Sequence, residues 1–575
     1  MQAFDEKQVL LLPGPLSDVL NETASFYRAI HNDDILKYMR EEAGLKAPGC
    51  RLTGWYPKSH GMGTLGQWIS FYCRLYALSG QKSDRDKAIE LTEQFWICYD
   101  RLQGSSRSLL GNRSFYALEK LVRALLDLQI YAHYSTADQV DRLVSFAEAN
   151  LDRSRLFGDN GTEWYTLPES FYDAAQLFDM KRAAKVADFW QYRMFWDLFA
   201  DHKDPFSAKP KAGLYSDFCH AYSHVNSMNS CAMAYQYHKD PYDLKALLSF
   251  YQFMQETQVM VTGGYGPEFE HLMPKDRIIN ALRTGHDSFE TQCGSYAAFR
   301  LCRYLTEFTK DAVFGDWVES LIYNAVIATP PMTPEGKVLY YSDYNMYGAC
   351  KRNRKDNWTC CTGTRPLLAV DLARQIYYHD GQDVYVSQYT PSLVTFEREG
   401  SIISLRQETD FPLSDETQLK IEADGAFPLT LHLRKPGWLS GPIRLYINEK
   451  PIQETKVDKN WVSLSRFWQN GDVISAVLPK SLQMHALDHE KNGPNAFVCG
   501  PVVLAASYIG PQTPNDVMDV RKLTERMHPV PGHSLHYTVD GCDFIYFKPY
   551  YEFEERERYF IYHDTTAHQT SRFPG

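Results

Sequence analysis

The chain has 575 residues, of which 44% are hydrophobic and 23% are charged, so it can form large cores, and disordered and fibrous classes are excluded. Its 60 Lys and Arg residues against 71 Asp and Glu residues give a formal net charge of −11. This charge argues against nucleic acid as a partner, because phosphate binding needs a basic face. With about 100–200 residues per domain, the length predicts two to four domains.

The first residues do not resemble a secretion signal. Met1–Lys7 contains two acids where a signal peptide carries Lys or Arg, and the apolar run Val9–Leu12 stops at Pro13. No segment approaches the ~20 consecutive apolar residues that span a bilayer. We therefore expect a cytoplasmic protein without membrane contact, in which most of the 12 cysteines are buried thiols.

Residues 1–382 are predicted to form a helical domain. In Gly66–Leu78, apolar and aromatic residues recur on one face at helical spacing. Similar patterns follow at Phe115–Tyr131, Asp138–Leu151, Ala184–Phe199, Asp243–Gln258, Phe289–Leu305 and Trp317–Ile327. A series of helices this long must close on itself to bury its apolar faces, which predicts a toroid of helical hairpins or a solenoid.

A glycine-rich loop, Thr262–His271, lies late in the helical domain. Its glycines allow sharp turns and a close approach to a ligand, and it ends with Glu268, Glu270 and His271. A carboxylate held beside aromatic residues can have a raised pKa and act as a proton donor. An ordinary polar loop is the alternative. The loop does not match a phosphate-binding motif, because no Gly-Lys-Ser/Thr follows.

The densest group of chemically capable residues comes next. Glu290 and Cys293 are three residues apart in a predicted helix, where they would point the same way. The adjacent Cys360 and Cys361, on a loop before another predicted helix, can offer two sulfurs to one metal ion. Together these four donors would form a site that suits Zn²⁺. The residues alone also allow Cys293 to be a core thiol and the cysteine pair to be incidental.

From Asp383 onward, the hydrophobic period changes from that of a helix to two. Val384 and Val386 alternate with Tyr385, and short segments of this kind, separated by Asp-Gly, Asn-Gly or Gly-Asp turns, continue to the end. The pattern predicts an antiparallel β-sandwich over residues 383–490. Residues 491–575 are predicted to form a second sandwich or completing strands, so the fold class is multidomain α + β.

Seven ordered motifs together give the chain a family resemblance. They are Thr262–Glu270, Glu290–Cys293, Leu321–Asn324, Trp358–Cys361, Leu431–Trp438, Phe467–Pro479 and Ala496–Leu504. The chain resembles the β-L-arabinofuranosidase family, glycoside hydrolase family 127 and its relatives, over nearly its whole length. The resemblance implies an (α/α)6 helical barrel followed by antiparallel β-sandwich domains. It also implies a retaining glycoside hydrolase that releases a terminal sugar, β-L-arabinofuranose or similar.

The chain departs from the family pattern in three places. The family's Glu-Thr-Cys is Glu-Thr-Gln-Cys at Glu290–Cys293, and its Cys-Cys-Pro-Pro-Asn is Cys-Cys-Thr-Gly-Thr at Cys360–Thr364. A histidine expected from the family is Gln67 here. Because these differences lie at the sugar-facing end, we expect a divergent subgroup, and the identity of the sugar is left open.

The resemblance implies roles for individual residues. Zn²⁺ would be held by Glu290, Cys293, Cys360 and Cys361, with Cys360 as the nucleophile. The acid/base would be Glu270 or Glu268, and Glu270 is favoured because its Glu-His-Leu context is similar to the family's. His224 and Tyr341 resemble positions that touch the sugar. Tyr165, on an aromatic loop at a helix boundary, is a third candidate for substrate binding.

The residues also allow other interpretations. Glu268, Glu270 and Asp287 could supply the two carboxylates of an ordinary glycosidase that has only structural zinc. The chain could instead be a non-catalytic carbohydrate-binding protein or a zinc-stabilised interaction scaffold. In the first two cases the partner is an oligosaccharide or glycoconjugate, and the sandwich domains offer a surface for a homodimer.

Overall fold

The structure is a computed structural model. It describes residues 1–57, 62–102, 114–150, 163–207, 220–290, 292–398, 400–452, 456–488, 493–508 and 522–563. Helices dominate as far as residue 371, and strands dominate from residue 377 onward. Among the described residues, no helix combines the length and the apolar character needed to cross a membrane.

Six of the helices in the described residues form the inner ring of a barrel. They are α3 (Met62–Ser79), α5 (Ser114–Tyr131), α7 (Leu167–Phe178), α10 (Ala221–His238), α13 (Gln292–Thr309) and α15 (Cys361–Asp371). Each contacts the next, and α15 returns to contact α3, so the ring is closed. All fourteen residues from the start of α10 to Ala234 are buried, as expected for a helix surrounded by protein on every side.

The remaining helices of this domain pack around or beside the ring. They are α1 (Pro15–Ala29), α2 (Asn32–Glu42), α4 (Lys82–Leu102), α6 (Ala137–Asn150), α8 (Lys181–Phe189), α9 (Arg193–Ala200), α11 (Pro241–Phe253), α12 (Lys275–Thr284) and α14 (Phe314–Leu321). The predicted helical barrel is thus confirmed. The expected single helix Ala184–Phe199 is wrong, because the chain breaks at Trp190–Tyr192. There the Trp190 ring packs on Phe115, and Tyr192 packs on Trp164.

Two sheets follow the helical domain. One has the strand order β1 (Gln2–Ala3), β4 (Tyr377–His379), β5 (Val384–Val386), β9 (Phe427–Arg434), β13 (Trp461–Trp468), β12 (Lys456–Asp458). The other has the order β11 (Lys450–Pro451), β10 (Arg444–Ile447), β14 (Val473–Val477), β8 (Glu416–Ala423), β7 (Ser401–Thr409), β6 (Ser392–Arg398), β2 (Val9–Leu11). Neighbouring strands are antiparallel except β5 and β9, which are parallel. The first two strands of the chain thus pair with strands that are far away in sequence. Local sequence patterns do not reveal such pairings.

A third sheet lies against the back of the glycine-rich loop. Its strands are β15 (Leu482–Ala486), β16 (Asn495–Cys499), β17 (Val502–Tyr508), β20 (Cys542–Pro549), β19 (Tyr537–Val539) and β18 (Met527–Pro529). The short strands β3 (Ala349–Cys350) and β21 (Arg558–Tyr559) pair nearby, and a short helix, α16, spans Leu523–Arg526. The Tyr562 hydroxyl accepts a hydrogen bond of 2.8 Å from Val261 N, and Asn324 bonds to Pro501 O and Val503 N. The first bond fixes the residue that precedes the loop, and the other two join this sheet to the segment that follows α14.

Candidate active site

The N-terminal ends of two neighbouring inner helices bring three cysteines together. The Sγ atoms of Cys293, Cys360 and Cys361 all lie within 4.8 Å of one another, and those of Cys293 and Cys361 are 3.5 Å apart. Cys293 is in the first turn of α13, while Cys360 caps α15 and Cys361 is its first residue. Because the positive end of a helix favours a thiolate, this position favours an ionised sulfur.

The three thiols are not equivalent electrostatically. Hydrogen bonds from Cys293 and Cys361 hold the pKa of the Cys360 thiol well below its usual value. Burial raises the pKa of both Cys293 and Cys361 well above the usual range. Cys360 is also the most exposed of the three, since the other two are buried. Cys360 is therefore the sulfur best placed to act as a nucleophile.

The cluster fits a soft metal ion, because three converging thiols supply three of the four donors of a tetrahedral zinc site. Glu290 does not join them. Its carboxylate accepts a hydrogen bond of 3.0 Å from Thr262 Oγ1 and another from the Tyr344 hydroxyl. Burial raises the pKa of Glu290 to about 7, despite these two bonds. The expectation that Glu290 and Cys293 share a helix face is wrong, because α13 begins at Gln292.

The glycine-rich loop is shaped to receive this carboxylate. A Cβ atom added at Gly264 would lie 0.9 Å from Glu290 Oε2, so only glycine fits there. The loop is anchored by the Trp317 indole, which donates to Gly263 O at 2.6 Å, and by the Tyr265 hydroxyl, which donates to Gly294 O at 2.8 Å. The loop is therefore held firmly against the inner helices.

The two glutamates at the end of the loop, Glu268 and Glu270, have different surroundings. Glu268, Phe269 and Glu270 have positive φ angles of 48°, 65° and 68°. Glu268 forms an ion pair with Arg277 at the surface. Glu270 is only 7% exposed, and its Oε2 accepts hydrogen bonds from the hydroxyls of Tyr340 (3.2 Å) and Tyr341 (3.4 Å). Only Glu270, of these two, faces the interior of the site.

One phenol connects Glu270 to the cysteine cluster. The Tyr340 hydroxyl oxygen lies 3.2 Å from Glu270 Oε2 and 3.3 Å from Cys360 Sγ. The carboxylate oxygen and the sulfur are therefore at most about 6.5 Å apart. A buried carboxylate and a thiol thus both lie within hydrogen-bonding distance of one hydroxyl group.

His220, which belongs to none of the sequence motifs, also lies beside Glu270. Its Nε2 lies 3.7 Å from Glu270 Oε2, and its Nδ1 lies 3.0 Å from Ser223 Oγ, which in turn lies 2.6 Å from the Tyr165 hydroxyl. Burial lowers the pKa of His220, but the hydrogen bond and charge of Glu270 outweigh it and raise the pKa to about 9. A histidine at a helix start, four residues before His224, is the sequence signal that could have indicated it.

The predicted sugar-binding residues occupy different depths. His224 is fully buried among the rings of Tyr165, Tyr192 and Phe195, and burial lowers its pKa to about 3. Tyr165 is also buried and stacks on Tyr192. These two residues lie beneath His220, whereas Tyr341 is half-buried at the mouth of the site.

Tyr341 belongs to an aromatic wall at the mouth. Its ring contacts those of Tyr340 and Phe269, and Phe269 is 60% exposed. The Trp55 ring contacts Tyr340, and the Arg354 guanidinium lies 4.5 Å from the centroid of Tyr340. Such a surface offers aromatic faces on which a sugar ring can stack.

Asp287 and Glu163 are two further carboxylates with different surroundings. Asp287 forms an ion pair of 3.0 Å with Arg352 at the surface. Glu163 is 7% exposed and has a φ of 60°, and its Oε2 has no hydrogen-bond partner in the described part of the chain. Burial raises the pKa of Glu163 to about 7. Of these two, Glu163 is the buried acid with an oxygen available to a ligand.

Comparison with known proteins identifies the architecture. The model of the GH127 β-L-arabinofuranosidase catalytic domain matches residues 8–368, and the model of the GH127 middle domain matches residues 383–480. Among solved structures, Ara127N-Se, a GH127 β-L-arabinofuranosidase from Geobacillus stearothermophilus T6, superposes with a TM-score of 0.72 at 15% identity, covering 97% of this chain and 99% of that chain. The GH127 β-arabinofuranosidase BT3674 gives 0.73 at 14% identity, covering 98% of each. At such identities these structures show a shared fold. No curated protein sequence matches the chain.

Proposed function

The chain belongs to the GH127 β-L-arabinofuranosidase family and is a glycosidase, and we propose that it releases a terminal β-L-arabinofuranose or similar sugar with retention of configuration. In this proposal Cys360 is the nucleophile and Glu270 is the acid/base. The observation that carries it is the Tyr340 hydroxyl, which lies within hydrogen-bonding distance of both groups.

Cys293, Cys360 and Cys361 are the proposed ligands of a zinc ion, supported by the convergence of their sulfurs. When bound, zinc would keep these thiols deprotonated and fix the direction of the Cys360 sulfur. Glu290 is the candidate for a fourth ligand. To reach the sulfurs its carboxylate would have to leave Thr262 and Tyr344, so the cysteines are the better supported part of the set.

The first step breaks the glycosidic bond. The Cys360 thiolate attacks the anomeric carbon while protonated Glu270 gives its proton to the departing oxygen, so the C–O bond breaks as a C–S bond forms. His220 lies 3.7 Å from the Glu270 carboxylate, so its imidazolium can balance the negative charge that remains on Glu270 after the proton leaves. General acid assistance of this kind contributes ~10²–10⁴-fold.

The second step releases the sugar. Glu270, now a carboxylate, takes a proton from a water molecule whose oxygen attacks the anomeric carbon. The C–S bond breaks, and Cys360 returns to the thiolate. Two displacements on opposite faces give retention of configuration.

The aromatic wall and the buried acid support sugar binding at this site. Tyr341 is proposed to contact the sugar directly, since it is half-buried at the mouth. Tyr165 and His224 are proposed to position other residues of the site. Tyr165 contacts Ser223, and His224 contacts His220. The unpartnered Glu163 oxygen is positioned to accept a hydrogen bond from a sugar hydroxyl.

The proposal is tested by a set of three variants assayed on an aryl β-L-arabinofuranoside and on a natural-type disaccharide. Cys360→Ser should abolish turnover while the fold persists. Glu270→Gln should lower kcat/KM for the disaccharide far more than kcat/KM for the activated aryl substrate, because this ratio reports the first step and the aryl group leaves without protonation. Glu268→Gln is the matched control and should keep nearly full activity. Normal turnover by Cys360→Ser would instead favour a glycosidase that uses two carboxylates.

A further inference from the structure

A second cavity lies at the opposite end of the barrel from the cysteine cluster. Its volume is about 830 Å³, and the C-terminal halves of the inner helices contribute much of its lining. Two residues at its edge, Ile130 and Leu177, are 44% and 42% exposed, so the cavity communicates with solvent. The proposed glycosidase chemistry uses no residue of this cavity.

Five arginines line the cavity: Arg74, Arg123, Arg300, Arg303 and Arg374. Three of them have carboxylates at close range. Arg123 forms an ion pair with Asp173, and Arg300 forms one with Glu169. Arg74 lies 3.4 Å from Asp127 and 3.3 Å from Asp371. The charges of these three arginines are therefore balanced within the protein.

Arg303 and Arg374 are paired much more weakly. Arg303 lies 3.9 Å from Glu307, and Arg374 lies 3.8 Å from Glu6. Both acids are engaged elsewhere. Glu307 accepts a hydrogen bond of 3.1 Å from Ala3 N, and Glu6 accepts one of 3.1 Å from the Tyr131 hydroxyl.

The guanidinium groups of Arg303 and Arg374 keep unused donors. In the described residues, the Nε atom of each has no hydrogen-bond partner; the Nε of Arg74 has none either, but it lies 3.4 Å from the Asp127 carboxylate. The Arg303 side chain is only 9% exposed, so this donor is held away from bulk water. A buried donor without an acceptor is costly, which indicates that a ligand supplies the acceptor.

The helix dipole does not account for the position of Arg303. Cations are favoured at the C-terminal ends of helices, but the effect falls off within the last turn. Arg303 lies more than one turn before α13 ends at Thr309. A local anion explains its position better than the helix dipole does.

We propose that this cavity binds a phosphate group, held by the guanidinium forks of Arg303 and Arg374. Guanidinium groups match the geometry of phosphate oxygens and bind them with two parallel hydrogen bonds. The cavity is much larger than a phosphate ion, and Tyr296 and Tyr304 also line it. The occupant is therefore either free phosphate or the phosphate of a small organic molecule whose body lies against these rings.

Calorimetric titration of the zinc-loaded full-length protein tests the proposal, with inorganic phosphate, ribose 5-phosphate and ribose as probes. We expect saturable binding of at least one phosphate-bearing probe and none of ribose. Tighter binding of ribose 5-phosphate than of phosphate would identify an organic phosphate, and equal binding would identify the free ion. Each of these two results supports the site.

Variants locate the binding. Arg303→Met and Arg374→Met should each weaken the binding at least about tenfold, as expected for loss of a charge-assisted fork. Arg182→Met, which removes an equal charge from an exposed ion pair on α8, should leave the affinity within about twofold. Thermal unfolding with and without phosphate gives a second readout, and glycosidase turnover shows that each variant is folded. Absence of saturable phosphate binding, or binding that both cavity variants leave unchanged, would overturn the proposal.

Discussion

Glu270 and Cys360 lie on either side of one hydroxyl group, that of Tyr340, at 3.2 and 3.3 Å. The two groups come from distant parts of the chain, a glycine-rich loop and the cap of an inner helix. Because Glu270 and Cys360 lie close together, a double-displacement mechanism is geometrically reasonable. In it the Cys360 sulfur would take the place of the second carboxylate that most retaining glycosidases use.

Removing the shared hydroxyl should therefore reduce activity. We expect Tyr340→Phe to lower kcat/KM by ~10–100-fold, because a hydrogen bond to a charged group contributes ~1.5–3 kcal/mol. Tyr341→Phe is the matched control, since Tyr341 bonds to Glu270 at 3.4 Å, and we expect a smaller loss. Steady-state kinetics on an aryl arabinofuranoside measure both. An unchanged kcat/KM in Tyr340→Phe would contradict a bridging role for Tyr340.

The cysteine cluster predicts selective effects on metal content. Cys293→Ser should lower bound zinc well below one ion per chain after dialysis and should also lower the Tm, because metal binding stabilises the folded state. Cys302→Ser removes another buried thiol from the same helix but lies outside the cluster, so its zinc content should be unchanged. Elemental analysis measures both variants. Parallel loss of zinc in the two variants would indicate general destabilisation instead of ligation.

Glu290 should affect zinc less than Cys293 does. Because its carboxylate is bonded to Thr262 and Tyr344, we expect Glu290→Gln to retain most of the zinc while weakening the glycine-rich loop. Competition with a chromophoric chelator compares the zinc affinities of Glu290→Gln and Cys293→Ser. If both variants lose zinc affinity to the same extent, Glu290 contributes as much to zinc binding as Cys293 does.

His220 should control the alkaline limb of the pH profile. Its pKa is raised to about 9, mainly by Glu270 acting against burial, so it is protonated below that pH and loses its proton above it. We therefore expect kcat/KM to fall as pH rises through about 9. In His220→Asn the group with this pKa is absent, so the alkaline limb near pH 9 should disappear. An alkaline limb that stays at the same pH in the variant would exclude this coupling.

Much of the fold could be predicted from the sequence because it depends on repeated local patterns. Helical spacing up to residue 382 and a period of two beyond it predicted a helical barrel followed by sheets, as observed. The pairing of Val9–Leu11 with Ser392–Arg398 was not predictable in this way, since it joins segments far apart in the chain. The break at Trp190–Tyr192 was also missed, because helical periodicity continues across it.

In the site as well, some features could be predicted from local sequence patterns and others could not. The sequence placed Cys293, Cys360 and Cys361 in one proposed cluster, and the structure brings their sulfurs together. The choice between Glu268 and Glu270 depends on left-handed backbone angles at non-glycine residues, which no residue pattern in the loop specifies. The position of Glu290 depends on where a helix begins, and boundaries are the least predictable feature of an element.

Mass spectrometry of a trapped intermediate tests the central claim most directly. In Glu270→Gln an activated aryl arabinofuranoside should still react with the nucleophile, but without the base for the second step the sugar should remain attached. Peptide mapping should then find one pentosyl group on the peptide that contains Cys360, bonded to that sulfur. A pentosyl group on a carboxylate such as Glu163, or turnover without any adduct and with inverted product, would contradict the account.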